Sequence, residues 1–182
     1  MNVMNAPLKN SDYFEIFALT PKFHIDMGSL DTNFRDLQRQ VHPDKTAHLG
    51  DAERRHSMQW ATLANEAYQT LKKPLDRASY LLRIKGIETH EEGHANGLSA
   101  EFLMEQMEWR EELQDTVQSR DIAELDKLGR RIKKELDAHM EILGNLLDVE
   151  QRFTVAADLL KQIRFLDRLM AEINSAYELL EN

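Results

Sequence analysis

Apolar residues recur along this chain at intervals of three and four, and nowhere do they alternate in the two-residue rhythm of a strand. The pattern predicts an all-α fold. Four helices are expected before residue 87. The first covers 12–19, started by Ser11 or Asp12 and stopped near Pro21. The second, 29–41, aligns Leu30, Phe34, Leu37 and Val41 on one face. The third, 51–73, uses Trp60, Leu63, Ala64, Ala67 and Leu71, and ends where Pro74 removes an amide proton and clashes with the preceding turn. The fourth, 75–85, closes at Gly86. Three longer helices follow at 99–118, 119–147 and 149–180, with Ser99 and Ser119 as N-caps. Short connections between long helices make antiparallel neighbours, hence a three-helix bundle.

The weakest stretch, 85–97 (KGIETHEEGHANG), holds three of the seven glycines and little apolar patterning. Two domains are therefore expected, 12–86 and 99–182, joined by a linker at 87–98. Residues 1–11 form an N-terminal extension, a candidate for disorder.

Charge sharpens this division. Residues 1–86 carry twelve Lys and Arg against ten Asp and Glu, a net of +2; residues 87–182 carry eleven against twenty-two, a net of −11. Two surfaces with different partners are implied. Neither half offers the basic face that nucleic-acid phosphates require. With no cysteine there are no disulfides, thiolate metal sites or cysteine nucleophiles, and a reducing compartment fits. No signal peptide and no membrane-spanning apolar run can be read, so a cytoplasmic location is the expectation.

Helical projection at about 100° per residue then selects side chains that lie off the core stripes. In the second helix Arg35 and Arg39 share a stripe away from Leu30, Phe34, Leu37 and Val41. In 99–118 the core stripe is Phe102, Trp109, Leu113 and Val117. Met104 and Met107 fall on the far side with Glu108, Glu111 and Asp115, and Leu103 on the flank. In the last helix Ile163, Leu166, Met170, Ile173 and Tyr177 form the core stripe, and Phe165 falls off it. Leu103, Met104, Met107 and Phe165 are thus expected to be exposed among carboxylates. Scattered exposed apolar residues usually mean little. Converging on one acid-rimmed patch, they mark a binding site, and methionine adapts its shape to a partner.

His42-Pro43-Asp44 directly follows the second helix, with Lys45 opening the polar loop after it. Alone, the triplet is an ordinary helix stop. Together with DYFEIFAL (12–19), FRDLQRQVHPDK (34–45), NEAYQTL (65–71) and PLDRASYLL (74–82), in that order and spacing, it resembles the J-domain family. The resemblance implies a four-helix J-domain. Its HPD loop and basic second helix (Arg35, Arg39, His42, Pro43, Asp44, Lys45) would dock on a DnaK-type chaperone and trigger ATP hydrolysis. His42 would act in recognition, without proton transfer.

PLDRASYLL, FLMEQMEWREEL (102–113) and IRFLDRL (163–169) extend the likeness to the HscB-type co-chaperones of iron–sulfur cluster assembly. That branch implies an L-shaped, non-enzymatic protein without cofactor. Its J-domain engages the chaperone HscA and its C-terminal three-helix bundle holds the scaffold protein IscU. Leu103, Met104, Met107, Glu108, Glu111, Asp115 and Phe165 match the family's scaffold-binding positions; Asp115 stands where some members carry the longer glutamate.

Two competing readings are weaker. A general J-protein serving DnaK with unfolded clients would carry a Gly/Phe-rich segment and a cysteine-rich zinc domain, which this sequence lacks. His90-Glu91-Glu92-Gly93-His94 matches the HExxH string of zinc proteases, but among glycines and with no apolar face to bury it as a helix. No bound metal is expected there.

Overall fold

Four of the described helices start on a short acidic or hydroxyl side chain, Asp12, Asp26, Ser99 or Asp121, that accepts from the otherwise orphaned first amides. The structure, a computed structural model, describes residues 12–42, 50–89 and 98–181. Among them are seven helices and no strand: α1 (Tyr13–Ile16), α2 (Met27–Val41), α3 (Asp51–Lys72), α4 (Pro74–Ile84), α5 (Ala100–Ser119), α6 (Ile122–Asp148) and α7 (Phe153–Glu181). The chain divides into two compact units, Met1–Leu81 and Leu82–Asn182, with the division falling inside α4. No described helix is long and apolar enough to cross a membrane.

In the first unit Asp12 caps α1, its carboxylate accepting from the Phe14 amide at 2.9 Å. The helix ends at Ile16, earlier than periodicity predicts. Ala18 turns left-handed (φ 50°), and the Leu19 amide returns to the Phe14 carbonyl instead of extending the helix. Capped by Asp26, α2 begins at Met27, two residues before the expected Ser29, with the Asp26 carboxylate accepting from the Gly28 amide (2.9 Å) and the Ser29 hydroxyl (2.6 Å). Those bonds, the Ser29 hydroxyl foremost, hold the Asp26 carboxyl below its ordinary pKa of 3.8. At α3 the Glu53 carboxylate accepts from the Gly50 amide, half of a capping box whose other half a glycine cannot supply. Pro74 occupies the first position of α4, where its missing amide costs nothing.

Phe14, Phe17, Leu30, Leu37, Trp60, Ala64, Ala67, Leu71 and Ala78 fill the core of this unit. Leu63, expected inside, is only partly covered. Arg77 is buried in that core. Its Nε donates to the Phe23 carbonyl at 2.7 Å, and a second guanidinium nitrogen donates to the Leu71 carbonyl in the last turn of α3. It thereby caps α3 and fastens the connection between α1 and α2, with its planar head 5.4 Å from the Phe23 ring centre.

In the second unit Ser99 caps α5 as expected, accepting from the Phe102 amide at 3.1 Å. Ser119 does not cap α6. Its hydroxyl donates backward to the Asp115 carbonyl (2.8 Å), so it finishes α5. The cap is Asp121, whose carboxylate accepts from the Ala123 and Glu124 amides; it follows the left-handed Arg120 (φ 55°) that closes α5. Likewise α7 starts at Phe153, because Val149 to Arg152 form the turn and Gln151 is left-handed (φ 54°). α6 and α7 pair most extensively, and α5 lies across both. Their shared core contains Phe102, Trp109, Leu113, Leu125, Leu128, Ile132, Leu166 and Ile173.

Candidate functional site

Each unit presents one surface of interest. In the first, α2 delivers the chain to its loop. Val41 is buried, and its carbonyl accepts from the buried Ser57 hydroxyl of α3 at 3.2 Å. This clamp fixes where the helix stops and where the next residue emerges. His42 is exposed and extended (φ −61°, ψ 135°), as expected of a residue preceding proline. Arg35 and Arg39 are both exposed one turn apart on α2. Arg39 pairs with Asp36 at 2.9 Å, a solvated i,i+3 bridge that leaves both groups open to exchange partners. The Gln38 amide also reaches Asn65 of α3 at 3.4 Å. Pro43, Asp44 and Lys45 lie outside the described residues. Ser57 was not flagged by the residue pattern. Its one signal is a hydroxyl on the apolar stripe that continues through Trp60, Ala64, Ala67 and Leu71.

In the second unit α5 turns its outer face to solvent. Met104 is 64% exposed and Met107 63%, while Glu108, Glu111 and Asp115 are exposed around them and Leu103 is half-buried. Packing of α6 and α7 adds neighbours that periodicity in one helix cannot indicate. Glu108, Glu111 and Asp115 line a groove with Glu112 and Glu124, and Met104 and Glu108 line another with Glu135, His139 and Gln162. The face is thus apolar at its centre and acidic on both flanks, a surface suited to a partner with apolar and basic groups.

Phe165 departs from expectation. It is 5% exposed, edge-on to Phe102 (5.9 Å between ring centres), stacked on Trp109 (6.4 Å) and covered by the Arg110 guanidinium (5.4 Å). The reason is that α7 faces two helices at once. Besides the stripe Ile163–Leu166–Ile173, a second stripe of Phe165, Leu169 and Ala176, about 90° round the helix, is also buried. A single-stripe projection assigns it wrongly to solvent.

No cluster of three or more His, Asp or Glu among the described residues could hold a metal ion; His90 and His94 lie outside them.

Residues 98–174 match the family model described as the HSCB C-terminal oligomerisation domain. The chain is 44% identical over 175 residues to the co-chaperone protein HscB homolog of Burkholderia thailandensis, covering 96% of this chain and 98% of that one. Among solved structures it resembles chaperone HscB from Vibrio cholerae (TM-score 0.81, 34% identity, 93% of this chain and 99% of that one). It also resembles human co-chaperone protein HscB (TM-score 0.84, 28% identity, 93% and 83%). With a His-Pro-Asp sequence following α2 and a likeness that runs through both units, the chain belongs to the HscB family of co-chaperones.

Proposed function

We propose that this co-chaperone stimulates the ATPase of the DnaK-type chaperone HscA and delivers the iron–sulfur scaffold protein IscU to it, in the cytoplasm. The observation that carries the reading is the exposure of Met104 and Met107 among Glu108, Glu111 and Asp115, on a different unit from the HPD loop. Loop and patch can then hold two partners at once. His42, Pro43, Asp44 and Lys45, with Arg35 and Arg39, contact the chaperone. Leu103, Met104, Met107, Glu108, Glu111 and Asp115 contact the scaffold. Phe165 belongs to the same set, and from its buried position it supports α5 through Phe102 and Trp109. The protein works by raising the local concentration of client while its J-domain triggers hydrolysis, and no residue is assigned a catalytic role.

The test is the steady-state ATPase rate of HscA with this protein, with IscU, and with both, repeated with His42→Gln. Synergy between the two additions that vanishes in the variant is expected. A variant that stimulates as well as the parent would sink the chaperone-docking assignment. Stimulation indifferent to IscU would sink the client assignment alone.

A further inference from the structure

With no cysteine in the chain, its thioethers are its softest nucleophiles, and exposure decides which of them an oxidant reaches. Met140 and Met170 are half-buried, and Met27 is 36% exposed with its sulfur 3.8 Å from the Arg77 guanidinium. Three described methionines stand well clear: Met58 at 67%, Met104 at 64% and Met107 at 63%. Two of these three lie one turn apart on α5, at the centre of the acid-flanked face. Both tryptophans, which also oxidise, are buried.

We propose that Met104 and Met107 form a reversible oxidation site through which hydroperoxides switch off client docking; this rests on the reading of α5 as the docking face. A sulfur lone pair attacks one peroxide oxygen, an S–O bond forms and the O–O bond breaks. A proton passes from the attacked oxygen to the departing one. The thioether loses two electrons and becomes a sulfoxide, and hydrogen peroxide is reduced to water. The adaptable apolar tip is thereby replaced by a stiff, polar S–O dipole whose negative end needs a donor. Glu101, Glu105, Glu108 and Glu111 stand around the pair on α5 with carboxylates that only accept, and the Gln162 amide in the groove beside Met104 is a donor. Docking then loses the adaptable apolar contact of the methionine tip and has to desolvate a polar oxygen in its place. A methionine sulfoxide reductase reverses the change.

The experiment treats the full-length protein with hydrogen peroxide, removes the peroxide with catalase, and locates oxygen addition by peptide mass spectrometry. IscU affinity is then measured by calorimetry. The parent protein, M104L/M107L and M104A/M107A are compared, each with and without treatment. We expect oxidation at Met58, Met104 and Met107 ahead of Met140 and Met170. A loss of IscU affinity of about tenfold or more is expected in the parent, restored by the reductase. M104L/M107L, still oxidised at Met58, should keep its affinity through treatment. Unchanged binding by protein oxidised at both positions overturns the switch, as does an equal loss in M104L/M107L. If M104A/M107A weakens binding while the sulfoxides do not, the docking reading survives and the switch falls. If untreated M104A/M107A binds like the parent, both fall together.

Discussion

The two units are held together by different means, and each method suits the surface it carries. The first unit is stitched by side chains that reach across the sequence to backbone groups. The Tyr80 hydroxyl accepts from the Tyr13 amide (2.9 Å), Asn33 donates to the Phe17 carbonyl (2.8 Å), Ser57 to Val41, and Arg77 to Phe23 and Leu71. The second is three long helices of 20, 27 and 29 residues around apolar side chains, and its inter-helix polar contacts, such as Arg131 with Glu112 and Tyr177 with Asp126, lie at the surface. Directional bonds fix where α2 ends, as Ser57 does at the Val41 carbonyl. The exposed outer face of α5 needs only that the inner face be firmly packed. Single polar substitutions should therefore damage the first unit's function, whereas the second unit's outer face should change with little effect on its fold.

The largest expected effects come from the interior of each unit. Arg77→Ala leaves two carbonyls without their charged donor and should cost about 3–5 kcal/mol; Phe165→Ala should cost a similar 3–5 kcal/mol through the cavity it opens. Urea unfolding should show each loss confined to its own unit, with M104A/M107A shifting stability by less than about 0.5 kcal/mol. A Phe165→Ala protein as stable as its parent would return that residue to the surface. Next in size is Ser57→Ala, which deprives the Val41 carbonyl of its buried donor at about 1–2 kcal/mol. It should lower stimulation of HscA while IscU affinity stays constant; equal losses in both assays would break the separation of roles. The smallest effect is at Asp26. Its carboxyl is held below 3.8 in the folded chain, so the cap's stabilisation is present above that value and is lost as pH falls through the lowered one. Urea midpoints followed from about pH 5 down to about pH 3 should therefore fall less steeply in Asp26→Asn.

Much of this was legible from residue spacing. Six of the seven described helices were, because each has an apolar stripe long enough to count; the four-residue α1 was legible only from its Asp12 cap and the Pro21 stop. What escaped has identifiable physical causes. Ser119 and Asp121 are both good caps two residues apart, and choosing between them depends on Arg120 adopting the left-handed backbone. Asp26 extends α2 through a carboxylate that satisfies an amide and a hydroxyl together. Arg77 reads as one more charge in PLDRASYLL, since nothing local indicates that its partners are carbonyls at Phe23 and Leu71. For the candidate site, Met104, Met107, Glu108, Glu111 and Asp115 were placed on the outer face by projection alone. Phe165 was misplaced because projection treats a helix as having one inner face. Glu135, His139 and Gln162 join the surface through packing between helices, which no single-helix pattern contains.

The chain has two tryptophans, one in each unit and both shielded from water: Trp60 at 0% and Trp109 at 6% exposure. Trp60 lies one turn beyond Ser57, whose hydroxyl holds the Val41 carbonyl at the end of α2, and Trp109 is on the buried side of α5, stacked against Phe165. Each unit thus carries one intrinsic fluorophore in its core. Replacing either by phenylalanine would leave the emission of a single unit, so that changes in the two units can be watched separately, without attached dyes.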